Sequence, residues 1–211
     1  MYGYHHLGTW STKEAQEAAS YGQLPGDPKY LDLNKDGVID ANDVSVIGNA
    51  FPKIVFGWNN TFTYKNFDLA ILVQGTQGNK LFNTIRIRME SEWEGTSANL
   101  LRRWTEQNQN TEVPAIITQK AREDANLVSK INTGWDERNS RWVEDASYLR
   151  VKTIVLGYSF PATMLNKINF KTVRVYASAT NMFTLTKYTG YDPEVSSFNG
   201  NDAQIGVDFA G

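Results

Sequence analysis

The sequence predicts an all-β fold with long loops, in which antiparallel, up-and-down strands form part of a transmembrane β-barrel and short helices sit in the loops. Three observations predict it. Apolar and polar residues alternate with period two over several stretches. The connections between those stretches are short and long in turn. Aromatic residues gather near the short turn.

The strand signal starts at Ile54. Ile54, Phe56, Trp58, Phe62 and Tyr64 fall on one phase, with Asn60 interrupting, and Gly57, Asn59, Thr61 and Thr63 on the other. After Lys65-Asn66 a second alternation carries Phe67, Leu69, Ile71 and Val73 against Asp68, Ala70 and Gln74. A two-residue turn at Lys65-Asn66 sets Tyr64 opposite Phe67, so both apolar sets share one face of the hairpin. Two further strands are expected at Tyr148–Phe160 and Thr172–Phe183. In the first the phase changes near Lys152-Thr153, which predicts a bulge. Tyr2-Gly3-Tyr4 reads as the tail of an earlier strand.

The connections are Lys65-Asn66, then Thr76 to Ser147, then Pro161 to Lys171, with a further long segment after Phe183. In a meander this sends every long segment to one end. A soluble antiparallel sheet with one wet face would alternate in the same way. A long structureless loop is uncommon in a compact soluble domain, however, and the Thr76–Ser147 connection decides for the barrel. A helix is expected there around Ala98 to Thr105.

Composition excludes several classes. The 211 residues carry a net charge of -2 with no block of like charge, which gives no electrostatic case for nucleic acid. There is no cysteine, hence no disulfide, thiolate metal site or Cys nucleophile. No apolar run approaches the length of a helical membrane span.

The first fifty residues read as a surface excursion. A short helix, Lys13 to Ala19, capped by Ser11 or Thr12, runs into the Gly/Pro-rich Gly22 to Pro28. Then comes the sharpest motif. Asp32, Asn34, Asp36, Val38, Asp40 and Asp43 occupy positions 1, 3, 5, 7, 9 and 12 of a calcium loop, with Gly37 at the sharp turn. Val38 would offer its carbonyl and the others side-chain oxygens. Position 12 is Asp rather than Glu, and no regular helix can precede the loop through Gly26-Asp27-Pro28. The expectation is a single calcium loop of structural role, followed by a short helix over Ala41–Ile47 ended by Gly48. The plain alternative is an Asx-rich turn without metal.

Other candidates are weaker. His5 and His6, adjacent on a strand, would point to opposite faces. Glu90, Glu92 and Glu94 could supply an acid/base pair for glycoside cleavage, although carboxylates in a polar loop are ordinarily solvated. Gly75-Thr76-Gln77-Gly78 lacks the Lys-Ser/Thr of a phosphate loop. Trp93, Trp104, Trp135 and Trp142 could stack on sugar rings or form the loop's own core. The acidic loop and these tryptophans together support an alternative to the barrel, a soluble, calcium-stabilised carbohydrate-binding β module.

A set of segments in fixed order is similar to the SusC/RagA-type TonB-linked outer-membrane transporters. It runs from Pro25-Gly26-Asp27 and the Asp32–Asp40 loop through Ile47-Gly48-Asn49 and Pro52. Asn66-Phe67-Asp68-Leu69, Gln74 to Asn79, Ser147 to Arg150, Leu156-Gly157-Tyr158 and Pro161 follow, and Asn181 to Glu194 closes the series. The resemblance implies a TonB-dependent receptor in the bacterial outer membrane, in contact with its lipid. Such a receptor imports glycan fragments or peptides, with a SusD-like surface lipoprotein as partner and a TonB complex as energy source.

It also implies that residues 1–211 are a C-terminal portion of the barrel: 1–50 the excursion with the calcium-type loop, 54–75 a hairpin, 76–147 a long extracellular loop, 148–183 a strand pair, and 184–211 a truncated long loop. The plug domain, which with its TonB-contacting segment lies N-terminal in the family, and most strands would be absent. Four or five strands cannot close a barrel of about 22, so the fragment is not expected to transport alone.

Overall fold

The computed structural model describes residues 1–90, 95–117, 123–125, 138–166, 169–195 and 205–208. Among them the strands are, in chain order, β1 (Tyr2–Gly3), β2 (His6–Thr9), β3 (Pro28–Tyr30), β4 (Ser45–Val46), β5 (Ile54–Tyr64), β6 (Phe67–Gln77), β7 (Lys80–Asn83), β8 (Val143–Asp145), β9 (Tyr148–Ser159), β10 (Arg174–Thr186) and β11 (Val207–Asp208). The chain divides into two compact units. One comprises Met1–Ala50, Lys80–Glu144 and Gly190–Gly211, the other Phe51–Asn79 and Asp145–Thr189.

The second unit is a four-stranded antiparallel sheet in the order β10-β9-β6-β5. The β5–β6 hairpin turns at Lys65-Asn66 and pairs Tyr64 with Phe67, as the alternation predicts. Lys65 takes the left-handed conformation, φ 54°, that this tight connection requires. The bulge falls at Lys152. Thr153 pairs with Leu72 and Val151 with Val73, leaving Lys152 between them, while Asn181 and Met182 oppose it on β10. That extra residue returns Leu149 and Val151 to the face of Ile154 and Leu156.

The first unit holds most of the buried apolar side chains among the described residues: Tyr4, Trp10, Ala18, Ile39, Leu81, Phe82, Val113 and Trp142. Its sheets are small: β1 with β4, β2 with β3, and β7 between β8 and β11. Trp10 stacks on Tyr21 with ring centroids 5.9 Å apart, and the Lys29 ammonium lies 4.1 Å above the Trp10 ring.

The helix at Ala15–Ser20 follows a 3-10 turn at Thr12–Glu14. Glu14 reaches back to accept from the Ser11 N–H at 3.0 Å and hydroxyl at 2.7 Å. Lys29 also donates to Glu14, at 2.7 Å. With Lys29 as the main cause and Ser11 adding to it, the Glu14 carboxyl titrates at about 2.

Two expectations are corrected. The helix expected over Ala41–Ile47 is one 3-10 turn, Ala41–Asp43. Val44 is already extended, and Ser45–Val46 pairs with Tyr2–Gly3. β-Branched Val44, Val46 and Ile47 favour a strand as soon as a partner is at hand. Tyr2–Gly3 is thus a strand, in a small sheet of its own with Ser45–Val46. The helix expected near Ala98 to Thr105 is a 3-10 segment, Ala98–Arg102, whose first turn is capped by the Ser97 hydroxyl.

Candidate functional site

The four-stranded sheet has two chemically different faces. Directly paired residues share a face, so register alone assigns them. One face carries Phe56, Gly75, Leu149 and Leu185 in a row, and Trp58, Val73, Val151 and Phe183 in the next. Below these lie Asn60, Ile71, Ile154 and Ala179, then Phe62, Leu69, Leu156 and Ala177, then Tyr64, Phe67, Tyr158 and Val175. Large side chains on this face are exposed: Trp58 by 49%, Phe62 by 52%, Phe183 by 52%. A water-soluble sheet buries such a face.

From Phe56 to Tyr64 the strand covers about 26 Å at about 3.3 Å per residue. Tilted by about 40°, that gives about 20 Å of height, close to the apolar band of about 25 Å on membrane barrels. At the turn end the Phe67 and Tyr158 rings lie 4.7 Å apart, and Tyr158 meets Phe160 edge-on at 5.1 Å.

The opposite face is polar. Its rows include Gln74, Arg150 and Thr184, then Leu72, Thr153 and Thr180, then Asp68, Gly157 and Tyr176. Arg150 is only 4% exposed and donates from Nε to the Thr184 hydroxyl at 2.7 Å. Asp68 and Arg174 form a two-pronged ion pair, with Nε 3.0 Å from one carboxylate oxygen and Nη2 bonded to the other. The pair crosses β9 above Gly157, where a Cβ would collide with both groups. Apolar rows outward and a polar inner face are what a barrel wall presents to lipid and lumen.

The acidic loop lies in the first unit. Asp32 accepts from the Lys35 N–H at 2.6 Å, the Gly37 N–H at 2.8 Å and the Tyr21 hydroxyl at 3.1 Å. Asn34 accepts from the Asp36 N–H, and Asp36 from the Val38 N–H. Asp40 caps Asn42, while buried Asp43 accepts from the Leu33 N–H at 2.7 Å and the Asp40 N–H at 2.9 Å. Desolvation opposes ionisation of Asp32, but the Gly37 amide and the other donors outweigh it and hold its carboxyl below the usual range. Burial, then the Asp32 carboxylate, pushes the Tyr21 phenol up. As arranged, these oxygens serve the loop's own backbone. Among the described residues no three acidic or histidine groups converge as metal ligands.

A third cluster has an ionic core. Glu90, its side chain fully buried, accepts from Arg86 Nε at 2.6 Å and Asn99 Nδ2 at 2.8 Å, and pairs with Arg141. Arg86 also reaches Glu112 at 3.0 Å and Glu144 at 3.5 Å. The Arg141 guanidinium lies 4.2 Å over the Trp142 ring. Burial works against both arginine charges. At Arg86 the Glu90 and Glu112 contacts prevail over it, and at Arg141 burial prevails.

His6 sits beside this cluster, its imidazole lowered to about 4 by burial and then by Arg141. Among the described residues its buried Nε2 finds no hydrogen-bond partner.

Several expectations are thereby settled. Glu90 is not solvated but buried between Arg86 and Arg141. Glu92, Glu94, Trp93 and Trp135 lie outside the described residues. Trp142 is core rather than an open platform, and the Trp104 ring packs against Gly26. Gly75 lies within β6 under the Phe56 ring, in extended strand rather than in a phosphate loop. The Glu90 cluster and the Asp68–Arg174 pair were missed by sequence reasoning. The first left one signal, the spacing of Arg86 and Glu90 four residues apart.

No known family model matches the chain. Over 99% of its length it is 31% identical to TonB-dependent receptor P3 of Formosa agariphila, and over 94% it is 35% identical to TonB-dependent receptor P26 of the same organism. It is 26% identical over 82% of its length to TonB-dependent receptor SusC of Bacteroides thetaiotaomicron. It spans 20% of P3, 19% of P26 and 16% of SusC. Among solved structures, the RagAB peptide importer in its open-open state superimposes with a TM-score of 0.69 at 21% identity, over 99% of this chain and 20% of that one. The RagAB peptide transporter does so at 0.66 and 23%, with the same coverage of both chains. The two-faced sheet and these relatives agree: the chain belongs to the TonB-dependent receptors of the SusC/RagA type, as a segment of their barrel.

Proposed function

We propose that the chain forms part of the wall of an outer-membrane transporter that imports oligosaccharides or peptides. TonB supplies the energy, and a SusD-like surface lipoprotein caps the lumen. The observation that carries this reading is the sheet with its exposed apolar rows on one face and Arg150, Asp68 and Arg174 on the other. The relatives are named as receptors, importers and transporters. RagAB, a peptide importer, supports peptide as one substrate class. In this reading the Lys65-Asn66 turn faces the periplasm, and residues 76–147 stand on the outer side.

The test uses the whole receptor that carries this segment. Expressed in a Bacteroidota host, it should take up a labelled oligosaccharide or peptide, and uptake should stop when the proton gradient is collapsed. Receptor recovered from the soluble fraction, or uptake indifferent to the gradient, would refute the proposal.

Calcium in the Asp32–Asp43 loop is a separate proposal, supported by the spacing of its oxygen donors and assigned a structural role. The oxygens of Asp32, Asn34 and Asp36 that accept a single N–H keep a second lone pair that an ion could use. The soluble carbohydrate-binding module gains no support from a sheet whose apolar rows are open.

A further inference from the structure

The turn end of the sheet carries a feature that transport leaves unused. Tyr64 pairs with Phe67, the Phe67 ring packs on Tyr158, and Tyr158 packs on Phe160, so one aromatic run crosses β5, β6 and the end of β9. At the tip, Lys65 folds its ammonium over the Tyr64 ring at 5.3 Å. The second connection on this side exposes Met164 and Phe170 and ends in exposed Lys171. Backbone bonds hold the two connections side by side. The Asn66 carbonyl accepts from the Ser159 N–H at 2.8 Å, and the Val173 carbonyl accepts from the Phe160 N–H at 3.0 Å.

Carboxylates are scarce in this sheet. No Asp or Glu occurs between Ala146 and Tyr191, and the hairpin from Ile54 to Gln77 contains only Asp68. Both Asp68 oxygens are engaged by Arg174. Among the described residues, therefore, no carboxylate answers Lys65 or Lys171.

We propose that this rim binds the phosphate headgroups of anionic phospholipids in the leaflet on the turn side of the membrane. Lys65 and Lys171 supply the charge, and Tyr64, Phe67, Tyr158 and Phe160 sit at the boundary between headgroups and acyl chains. The inference rests on the barrel reading. The aromatic run is continuous with the apolar rows that face lipid, and such amphipathic rings settle at that depth. Lysines on long apolar stems reach from there to the headgroups. A basic side chain near an anionic surface is worth about fivefold in lipid affinity.

The experiment places the whole receptor in nanodiscs of phosphatidylcholine, with or without phosphatidylglycerol, and measures retention of each labelled lipid. The parent should retain phosphatidylglycerol in preference to phosphatidylcholine. Lys65→Gln and Lys171→Gln should each cut that preference about fivefold, and the double variant should nearly abolish it. Lys65→Arg with Lys171→Arg, which keeps the charge, should preserve it. Equal retention of the two lipids by the parent, or an undiminished preference in the double glutamine variant, overturns the inference while leaving the barrel intact. Competition by inorganic phosphate also overturns it, since the rim would then hold the free ion. A receptor that enters neither bilayer refutes the barrel reading itself.

Discussion

Asp68 and Arg174 lie on strands that do not touch, and they close on each other over the one residue between them that has no side chain, Gly157. The pair ties β6 to β10 across β9 on the polar face. Asp68→Asn should lower the stability of the reconstituted receptor only slightly, as expected for an exposed, solvent-screened pair. Gly157→Val pushes the flexible ends of Arg174 and Asp68 apart and so breaks the same pair, and should cost about as much. Urea unfolding in liposomes compares the two. A loss from Gly157→Val well beyond that from Asp68→Asn would show that the clash reaches the β9 backbone.

The face assignment predicts opposite outcomes for neighbouring residues. Ile71 is in the middle apolar row, and Ala70 points the other way. Ile71→Arg should destabilise the receptor by about 2–4 kcal/mol in a bilayer. Ala70→Arg should be tolerated within about 1 kcal/mol, because its charge meets the wet side. The same unfolding assay reads both, and a reversed order would invert the wall.

Glu90 neutralises two buried guanidinium groups. Glu90→Gln leaves Arg86 and Arg141 short of a counter-charge and should cost about 3–5 kcal/mol locally. Hydrogen exchange at Thr96 and Ser97, whose amides bond to the carbonyl of Met89, the last residue of the helix Thr84–Met89 that Glu90 follows, should speed up accordingly. Unchanged protection there would show the cluster to be dispensable.

His6 supplies a pH dependence whose sign is fixed by the direction of its shift. Its imidazole falls from 6.5 to about 4, so between those values the unfolded chain binds a proton that the folded chain does not. Stability from neutral His6 is complete above pH 6.5 and is lost as pH falls toward 4, by up to about 3 kcal/mol. Amide exchange at Tyr4 and Ser140 should follow that slope in the parent and be flatter in His6→Phe. A parallel slope in the variant would remove His6 from the account.

Calcium titrated into the whole receptor should release heat that Asp36→Ala abolishes. Equal heats from the two proteins would end the calcium proposal.

The wall was legible in the sequence because period-two alternation is a local signal, and a phase change at Lys152 marks a bulge without any knowledge of partners. The Ser11–Glu14 cap was half legible, since the cap was placed while its carboxylate partner was not. What stayed hidden depends on distant pairing. Ser45–Val46 is a strand only because Tyr2–Gly3 lies beside it. Glu90 looked like an ordinary loop carboxylate because Arg141 is far away in sequence. The acidic loop shows the limit of spacing, which brings ligand types into order but does not decide whether their oxygens turn to an ion or to the backbone.

The long excursion between β6 and β9 departs after Asn79 and returns before Ala146, and the Ala146 N–H donates to the Asn79 carbonyl at 3.0 Å. A detour whose two ends are pinned together places no demand on the strands it interrupts, so its content can diverge while the wall stays constant. Yet Lys80–Glu144 does not form its compact unit alone: Lys80 bonds to Asn49, Tyr4 to Arg138, and His6 to Ser140. A receptor lineage that traded this excursion for another would have to trade the first fifty residues with it. Inherited variation in these two stretches should therefore travel together, as one cassette written in separated parts of the gene.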